Sequence, residues 1–179
     1  MARMFRFLTA DEIEVKVKQV KENGLVCLLY KTARTDMDLL DETVGAGNWT
    51  NDYKEIKGNL YAGIGIIQEK GGIQWKWDCG IESREDEEGN QKKGEASDAF
   101  KRAGFRWGIG RELYTSPFVW IPSNKAEIKA SSFNGKTRFN CYDKFSVEKI
   151  AYDEKTGRIT GLAIRNDTKN LRAFVWQQS

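Results

Sequence analysis

The sequence predicts an α+β fold: an antiparallel β-meander packed on a central basic helix (a β-β-β-α core), with a C-terminal antiparallel strand unit. Three apolar segments between residues 49 and 81 are separated by short glycine-containing turns, which is typical of a meander. Apolar residues at helical spacing follow at 96–107. After residue 138 three further segments read as strands joined by turns, which predicts the second group of strands.

Length and composition are those of one globular domain. The 179 residues predict a single domain over 1–179, with a core at about 25–120 and the C-terminal strand unit at about 138–176. The net charge of +3 is small, so attraction to a polyanion has to come from a local patch. The chain has no histidine, the commonest general base and metal ligand near neutral pH. We therefore expect no metal and no cofactor.

The cysteine content predicts an intracellular protein. Cys27, Cys79 and Cys141 are far apart, show no C-x-x-C spacing and are odd in number. The first residues do not form a secretory segment, and no apolar run reaches the length of a membrane span. We therefore expect a cytoplasmic location in a reducing compartment, without membrane association.

The segment 9–24 carries conflicting signals. Thr9 and Glu12 fit a capping box at the start of a helix, and Gly24 fits the residue that ends one. The apolar residues between them alternate with charged ones, as in a strand. We interpret the segment as a helix, because both of its ends carry helix signals.

The next part of the chain predicts a strand, a helix and the meander. The short apolar run at 25–30 is long enough for one buried strand, and the spacing at 36–44 predicts a short amphipathic helix. Trp75 and Trp77 lie on one face of the last meander strand, and we interpret them as core residues. The meander strands are expected at 49–57, 60–69 and 73–81.

The central helix combines an apolar stripe with a basic surface. The stripe consists of Ala96, Ala99, Phe100, Ala103 and Trp107. Lys101 and Arg102 lie off it, and Arg106 follows Arg102 by one turn. Six basic and two acidic residues fall between positions 92 and 111. Such a helix suits a nucleic-acid backbone, and it equally fits the description of an ordinary solvated helix.

The C-terminal third predicts a loop and then strands. A short apolar segment at 117–122 precedes a polar stretch without a pattern at 123–137, which we interpret as a loop. The strands of the C-terminal unit are expected at 138–152, 158–165 and 171–176.

The sequence offers no catalytic constellation, so we do not expect an enzyme. It contains no G-x-x-x-x-G-K-[ST] loop, and the G-I-G-I-I-Q run at 63–68 lies within a predicted strand. The alternative is a carboxylate-bound magnesium site. The acids that could form it are Asp36, Asp38, Asp41 and Glu42, with Asp78 and Glu82. The acidic run at 85–88 is interpreted as a solvated segment.

The block S-D-A-F-K-R-A-G-F-R-W-G at 97–108 resembles the signature of the single-strand annealing family typified by the eukaryotic recombination mediator Rad-fifty-two. The motif positions are Ser97, Asp98, Lys101, Arg102, Ala103, Trp107 and Gly108. The extended block to residue 121 looks still more like the phage annealing proteins often called Sak-type. The order of strand, short helix, glycine-rich turn, meander and basic helix also agrees, so the resemblance covers about 25–120.

The resemblance implies a β-β-β-α core that assembles side by side into a ring or helical filament, with single-stranded DNA in a basic groove. Carried onto this sequence, it implies that Lys101 and Arg102 contact phosphates. The family's next helix arginine falls at Phe105, and Arg106 stands one residue later. The predicted DNA-binding residues are Lys101, Arg102, Arg106, Lys31, Arg34 and Lys93.

The leading hypothesis is an ATP-independent protein that binds single-stranded DNA and anneals complementary strands in homologous recombination and double-strand-break repair. The resemblance implies a phage or prophage origin, a homo-oligomer, and a nucleoid-associated location in the bacterial cytoplasm. A host or phage single-strand-binding protein is an expected partner. The alternatives are a module that binds single-stranded DNA or RNA without annealing and, less favoured, a metal-dependent nuclease.

Overall fold

The computed structural model describes residues 3–81, 88–133 and 135–179, with the backbone alone at 88–93 and 133. The chain divides into two compact units. The meander unit comprises the N-terminal residues up to Arg6 together with Lys31–Arg111, and the sheet unit comprises Phe7–Tyr30 and Glu112–Ser179. This division runs through the core predicted at about 25–120, because the first strand of that core belongs to the sheet unit.

The described elements give the predicted α+β fold, with mostly antiparallel strands and two α-helices. The helices are α1 (Ala33–Val44) and α2 (Glu88–Trp107). The strands are β1 (Glu14–Lys21), β2 (Gly24–Tyr30), β3 (Trp49–Ile56), β4 (Asn59–Ile67), β5 (Ile73–Cys79), β6 (Val119–Pro122), β7 (Lys129–Phe133), β8 (Lys136–Asn140), β9 (Phe145–Tyr152), β10 (Ile159–Asn166) and β11 (Leu171–Gln177). Short 3₁₀ turns lie at Ala10–Glu12, Arg111–Thr115 and Ser123–Lys125.

The meander unit has the predicted meander, with strand order β3-β4-β5, packed on α2. The β3–β4 hairpin turns at Lys57 and Gly58, which both have positive φ angles (52° and 73°). Along β4, all five residues from Ala62 to Ile66 are buried, with the side chains of Ala62, Ile64 and Ile66 on the face towards α2, and the apolar stripe of α2 is buried from Ala99 onward. The predicted apolar stripe is therefore confirmed from Ala99 to Trp107, where its side chains belong to the core.

Trp107 anchors the end of α2 in this core. Its side chain is 8% exposed, and its indole N–H donates a hydrogen bond of 2.9 Å to the carbonyl oxygen of Ile64. Since a buried indole N–H needs an acceptor, this bond fixes the last turn of the helix on β4. The interpretation of Trp107 as a core residue is confirmed.

Helix α1 starts three residues earlier than the sequence predicts. Thr32 is its N-cap, and the Thr32 hydroxyl oxygen accepts a hydrogen bond from the backbone N–H of Thr35. Leu39 and Leu40 are fully buried, as their helical spacing predicts. The helix ends before Gly45, whose φ of 88° few other residues adopt.

The sheet unit contains one six-stranded sheet in the order β11-β10-β9-β1-β2-β6. The strands predicted at 158–165 and 171–176 are confirmed as β10 and β11. With β9 they form the predicted C-terminal antiparallel strands, and β9 also pairs with β1 through Glu14 and Ser146. The N-terminal hairpin β1–β2 thus completes the sheet that the C-terminal strands begin.

The helix predicted over 9–24 is wrong. The capping-box contact exists, since the Glu12 carboxylate accepts a 2.8 Å hydrogen bond from the backbone N–H of Thr9. It closes only one 3₁₀ turn, and the chain continues as β1 and then β2 from Gly24. The alternation of apolar and charged residues decided the structure, because β1 exposes every second side chain while it pairs with β2.

The loop predicted over 123–137 is also wrong, because this polar stretch contains β7 and the start of β8. The two strands pair as an antiparallel hairpin, from Lys129 opposite Asn140 to Phe133 opposite Lys136. The strand predicted at 138–152 is split, since residues 141–144 lie outside β8 and β9. The carboxylate of Asp143, which is 9% exposed, accepts hydrogen bonds from the backbone N–H of Glu127 and the side chain of Asn166.

Over the described residues, neither helix is long and apolar enough to cross a membrane.

Candidate nucleic-acid interface

The surface of α2 that is not buried against the meander carries two rows of side chains. One row consists of Asp98, Arg102 and Arg106, which follow one another at intervals of one helical turn. This row contacts β5 and the residues just after it. The other row consists of Lys101 and Phe105, and it contacts Lys31, the residue that follows β2. We call the four cations along the first row and beyond its end the basic seam: Arg102, Arg106, Lys76 and Arg111.

Arg102 lies at the start of the basic seam. Its guanidinium donates a 2.7 Å hydrogen bond to the Asp98 carboxylate, and its side chain is 37% exposed. The same carboxylate accepts a bond of 3.1 Å from the backbone N–H of Ile81, just after β5. Asp98 therefore holds both the arginine and the end of the meander.

Arg106 lies one turn further along the helix and points towards β5. Its guanidinium is 2.9 Å from the carboxylate of Asp78, and its side chain is 60% exposed. The hydrogen bond to Asp78 raises the pKa of Arg106 above its ordinary value. An exposed pair of this kind is weak, because solvent screens it, so a phosphate can take the place of Asp78 at small cost.

Lys76 and Arg111 complete the basic seam, although sequence reasoning did not select them. The Lys76 ammonium lies 4.3 Å from the ring centroid of Trp107 and donates to the carbonyl oxygen of Arg106. The Arg111 guanidinium donates to the carbonyl oxygens of Phe105 and Arg106 at 2.6 and 2.7 Å. Burial, and then the charge of Arg111, lower the pKa of Lys76. Three cations thus meet at the carboxyl end of α2, where the helix dipole favours positive charge.

Two sequence signals could have identified these residues. Lys76 stands two residues before Asp78 on β5, so both side chains point to the face that α2 covers. Arg111 follows the helix by four residues, where basic side chains commonly hydrogen-bond the last carbonyl groups.

Lys31 is not on the surface, contrary to the expectation that it lines a groove. Its side chain is buried, and its ammonium pairs with the equally buried carboxylate of Asp36. The ammonium also donates a 3.1 Å hydrogen bond to the carbonyl oxygen of Lys101 and lies 4.1 Å from the ring centroid of Phe105. Lys31 therefore fixes the helix turn that carries Lys101 from within the meander unit.

Gly104 makes room for this buried ion pair. A Cβ atom at this position would lie 2.6 Å from Oδ1 of Asp36 and 3.2 Å from Nζ of Lys31. The sequence shows a glycine inside a helix at a cost of about 1 kcal/mol relative to alanine. The structure shows the reason, since the side chains of Lys31 and Asp36 occupy the space above it.

Substitution Gly104→Ala is expected to destabilise the protein by about 1–3 kcal/mol, because the ion pair has to move away from the new methyl group. Gly94→Ala is the matched control in the same helix. Among the described residues, no atom outside the helix's own backbone and the two chain neighbours lies within 4 Å of a Cβ at Gly94, so this change should stabilise by about 0.5–1 kcal/mol. Chemical denaturation of both variants measures the difference. Equal effects of the two substitutions would contradict the tight packing at Gly104.

The pKa of Asp36 is raised to about 7, because burial disfavours the charged carboxylate more than the Lys31 ammonium favours it. In the unfolded chain, the carboxyl group of an aspartate has a pKa of ~3.9. Between these values the folded protein binds a proton that the unfolded chain does not. The stabilisation from this protonation is therefore complete below pH ~3.9 and is lost as the pH rises through about 7.

We expect the free energy of unfolding of the wild type to fall between about pH 5 and about pH 8, relative to that of an Asp36→Asn variant. The asparagine does not titrate, so the difference isolates the Asp36 carboxyl group. Urea unfolding of both proteins across this range measures it. Parallel pH profiles for the two proteins would show that Asp36 does not titrate in this window.

The remaining predicted DNA-binding residues are placed as follows. Lys101 is partly exposed on α2, and Arg34 is exposed on the first turn of α1. Lys93 belongs to α2, but its side chain lies outside the described part of the structure. The structure therefore brings Lys101, Arg102 and Arg106 together on one helix.

The acids proposed for a metal site are largely engaged elsewhere. Asp36 is in the buried ion pair, Asp41 accepts a hydrogen bond from the Trp49 indole, and Glu42 pairs with Arg6. Glu82 and the acids at 85–87 lie outside the described residues, as does the side chain of Glu88. Across the described parts of the chain, no group of three or more Cys, Asp or Glu residues is arranged to hold a metal ion.

The chain matches the Rad52/22 family of double-strand break repair proteins over residues 3–131. This match covers well over half of the sequence and includes α1, the whole meander and α2 with the basic seam. The chain belongs to this family, and it is therefore a DNA-binding protein of recombination and repair. No curated protein and no solved structure shows a significant match to the chain.

Proposed function

We propose that this protein binds single-stranded DNA along α2 and anneals complementary strands without ATP, in the double-strand-break repair of a phage or prophage. Membership of the Rad52/22 family supports annealing in general terms. The observation that carries the proposal is the group of exposed or partly exposed cations on α2, Lys101, Arg102 and Arg106, on a helix whose other side is buried against the meander.

The basic seam favours a flexible polyanion over a small ligand. Its cations follow the helix and end in the group around its carboxyl terminus, so they suit a run of phosphates. Arg102 and Arg106 each lose only a weak surface ion pair when a phosphate replaces the carboxylate. Phosphate contacts hold the strand in register without reading its sequence.

Such binding accounts for annealing without an energy source. A strand held by its phosphates keeps its Watson–Crick edges free to meet a complementary strand. A homo-oligomeric ring or filament would place many copies of α2 along one strand, and effective concentration would then convert weak contacts into tight binding. We propose no nucleotide hydrolysis and no catalytic residue, and we place the protein on the DNA of the bacterial host, beside a host or phage single-strand-binding protein.

The test follows the pairing of two complementary, dye-labelled single strands by energy transfer, without ATP or magnesium. The proposal expects pairing well above the spontaneous rate, with both strands intact. Tight binding without faster pairing would favour a module that only coats single strands. Magnesium-dependent shortening of a labelled strand would favour the nuclease alternative.

A further inference from the structure

The face of the meander opposite α2 carries two tryptophans that the sequence analysis interpreted as core. Trp75 and Trp77 are only half-buried, and they lie on the other side of the sheet from the buried residues Ala62 and Ile64. Their ring centroids are 5.4 Å apart, and their ring planes differ by 25°. The interpretation as core is therefore wrong, and the pair needs another explanation.

Two glycines of β4 form the floor under these rings. Gly63 is paired with Trp77 and Gly65 with Trp75 in the β4–β5 register. A Cβ atom at Gly63 would lie 2.6–2.7 Å from three ring atoms of Trp77, and one at Gly65 would lie 2.9–3.0 Å from two ring atoms of Trp75. Each indole therefore lies across a glycine. The two ring planes are nearly parallel, and the indoles stack against each other above the two glycines.

A cation lies over one of these rings. The Lys54 ammonium, on β3, is 4.3 Å from the ring centroid of Trp77, and its side chain is 58% exposed. Lys54 also lies 3.9 Å from the Asp52 carboxylate, a long and exposed pair that a phosphate can replace at small cost. Half-buried aromatic rings and an exposed cation are the two components that proteins use to bind single strands.

We propose that Trp75 and Trp77 form a platform on which the bases of single-stranded DNA stack, while Lys54 contacts the adjoining phosphate. The choice of DNA as the ligand rests on the proposed function, but the site is separate from α2. Indoles bind a base through its π-face, so the Watson–Crick edges of the stacked bases stay available for pairing. A duplex cannot use this platform, because its bases are stacked on one another and cover their own faces.

The competing occupant is a second copy of the chain. Ile56, Ile67 and Ile73 are each 47% exposed and lie on the same face of the sheet. Apolar side chains at the centre of a patch are typical of protein interfaces. Lys54 favours a single strand, because its exposed ammonium at the Trp77 ring can contact a phosphate while the indoles contact bases.

The test compares an oligothymidylate with an abasic strand of the same length, which has the phosphates without the bases. Trp75→Val/Trp77→Val should weaken the binding of oligothymidylate by roughly tenfold or more and leave the binding of the abasic strand unchanged. Tyr53→Val is the matched control, since Tyr53 is 40% exposed on the other face of the same sheet. Lys101→Gln/Arg102→Gln should weaken both ligands.

Photocrosslinking of wild-type protein provides a readout that does not depend on a variant. A strand with 5-iodouracil should crosslink to Trp75 or Trp77, and mass spectrometry should place the adduct in β5. Unchanged binding of oligothymidylate by the tryptophan variant, or adducts only outside β5, would overturn the platform while leaving the proposed function in place. A change in oligomer size with unchanged affinity per site would assign the face to a second copy. No binding of either strand by the wild type would refute the proposed function as well.

Discussion

Lys101→Gln/Arg102→Gln is expected to reduce the affinity for single-stranded DNA by roughly a hundredfold or more. Each of the two substitutions removes one charge-assisted contact to a phosphate, which is worth about 1.5–3 kcal/mol. The dependence of log K on log salt should also become shallower by about 0.7 for each lost phosphate contact. Fluorescence anisotropy of a labelled strand, titrated at several salt concentrations, measures both quantities.

The fold should survive this double substitution. Arg102 is paired with Asp98 at a partly exposed site, so its loss costs about 1 kcal/mol or less, and Lys101 lies off the apolar stripe. Lys144→Gln/Lys155→Gln removes the same charge from two exposed lysines of the sheet unit and serves as the control. Wild-type affinity in the α2 variant would exclude Lys101 and Arg102 as the binding site, whereas an equal loss in the control would show that binding follows net charge rather than α2.

Lys31→Met is expected to destabilise the protein by about 3–5 kcal/mol near pH 8, because the Asp36 carboxylate is left buried without its cation. For a chain of this length each kcal/mol corresponds to about 2–4 °C in Tm, so the midpoint should fall by roughly 6–20 °C. Calorimetry or denaturation followed by circular dichroism measures the loss.

The double variant Lys31→Met/Asp36→Leu separates charge from packing. Replacing both members of a buried ion pair by apolar residues of similar size is often neutral, so the second substitution should restore most of the lost stability. If the double variant is as unstable as Lys31→Met alone, the space around Gly104 rather than the unpaired charge limits stability. A fully stable Lys31→Met protein would contradict the buried pair itself.

The features that the sequence predicted well depend on short-range periodicity. The stripe of α2 recurs every three or four residues, so its burial and the outward placement of Lys101 and Arg102 follow from one helical period. The meander was predictable because its strands are joined by tight turns, which leave few choices of pairing.

The features that the sequence did not predict depend on contacts between distant residues. Lysine is usually a surface residue. The burial of Lys31 requires Asp36 as its ion-pair partner, and it requires Gly104, in a helix some 70 positions later, to leave room for the pair. Trp75 and Trp77 were assigned to one face correctly. Their position on the face away from α2 was not predictable from β5 alone, because it is marked by Gly63 and Gly65 of β4, which pair with the two tryptophans across the sheet.

The segment 9–24 shows how two local signals compete. A capping box specifies one turn of helix, whereas alternation over eight residues specifies a strand with a partner on each side. The partners of β1 are β2, which adjoins it in sequence, and β9, more than a hundred residues later. The sequence could have indicated the pairing of β1 with β2, which follows it directly, but not the pairing with β9.

The cations of α2 are proposed to carry the single-strand binding that drives annealing. This is tested by the pairing rate of two complementary labelled strands with wild-type protein and with Lys101→Gln/Arg102→Gln, at equal concentration and without ATP. We expect acceleration by the wild type and a return to the spontaneous rate with the variant, while its oligomeric state and Tm stay close to those of the wild type. Acceleration by a folded variant equal to that of the wild type would refute annealing through the cations of α2.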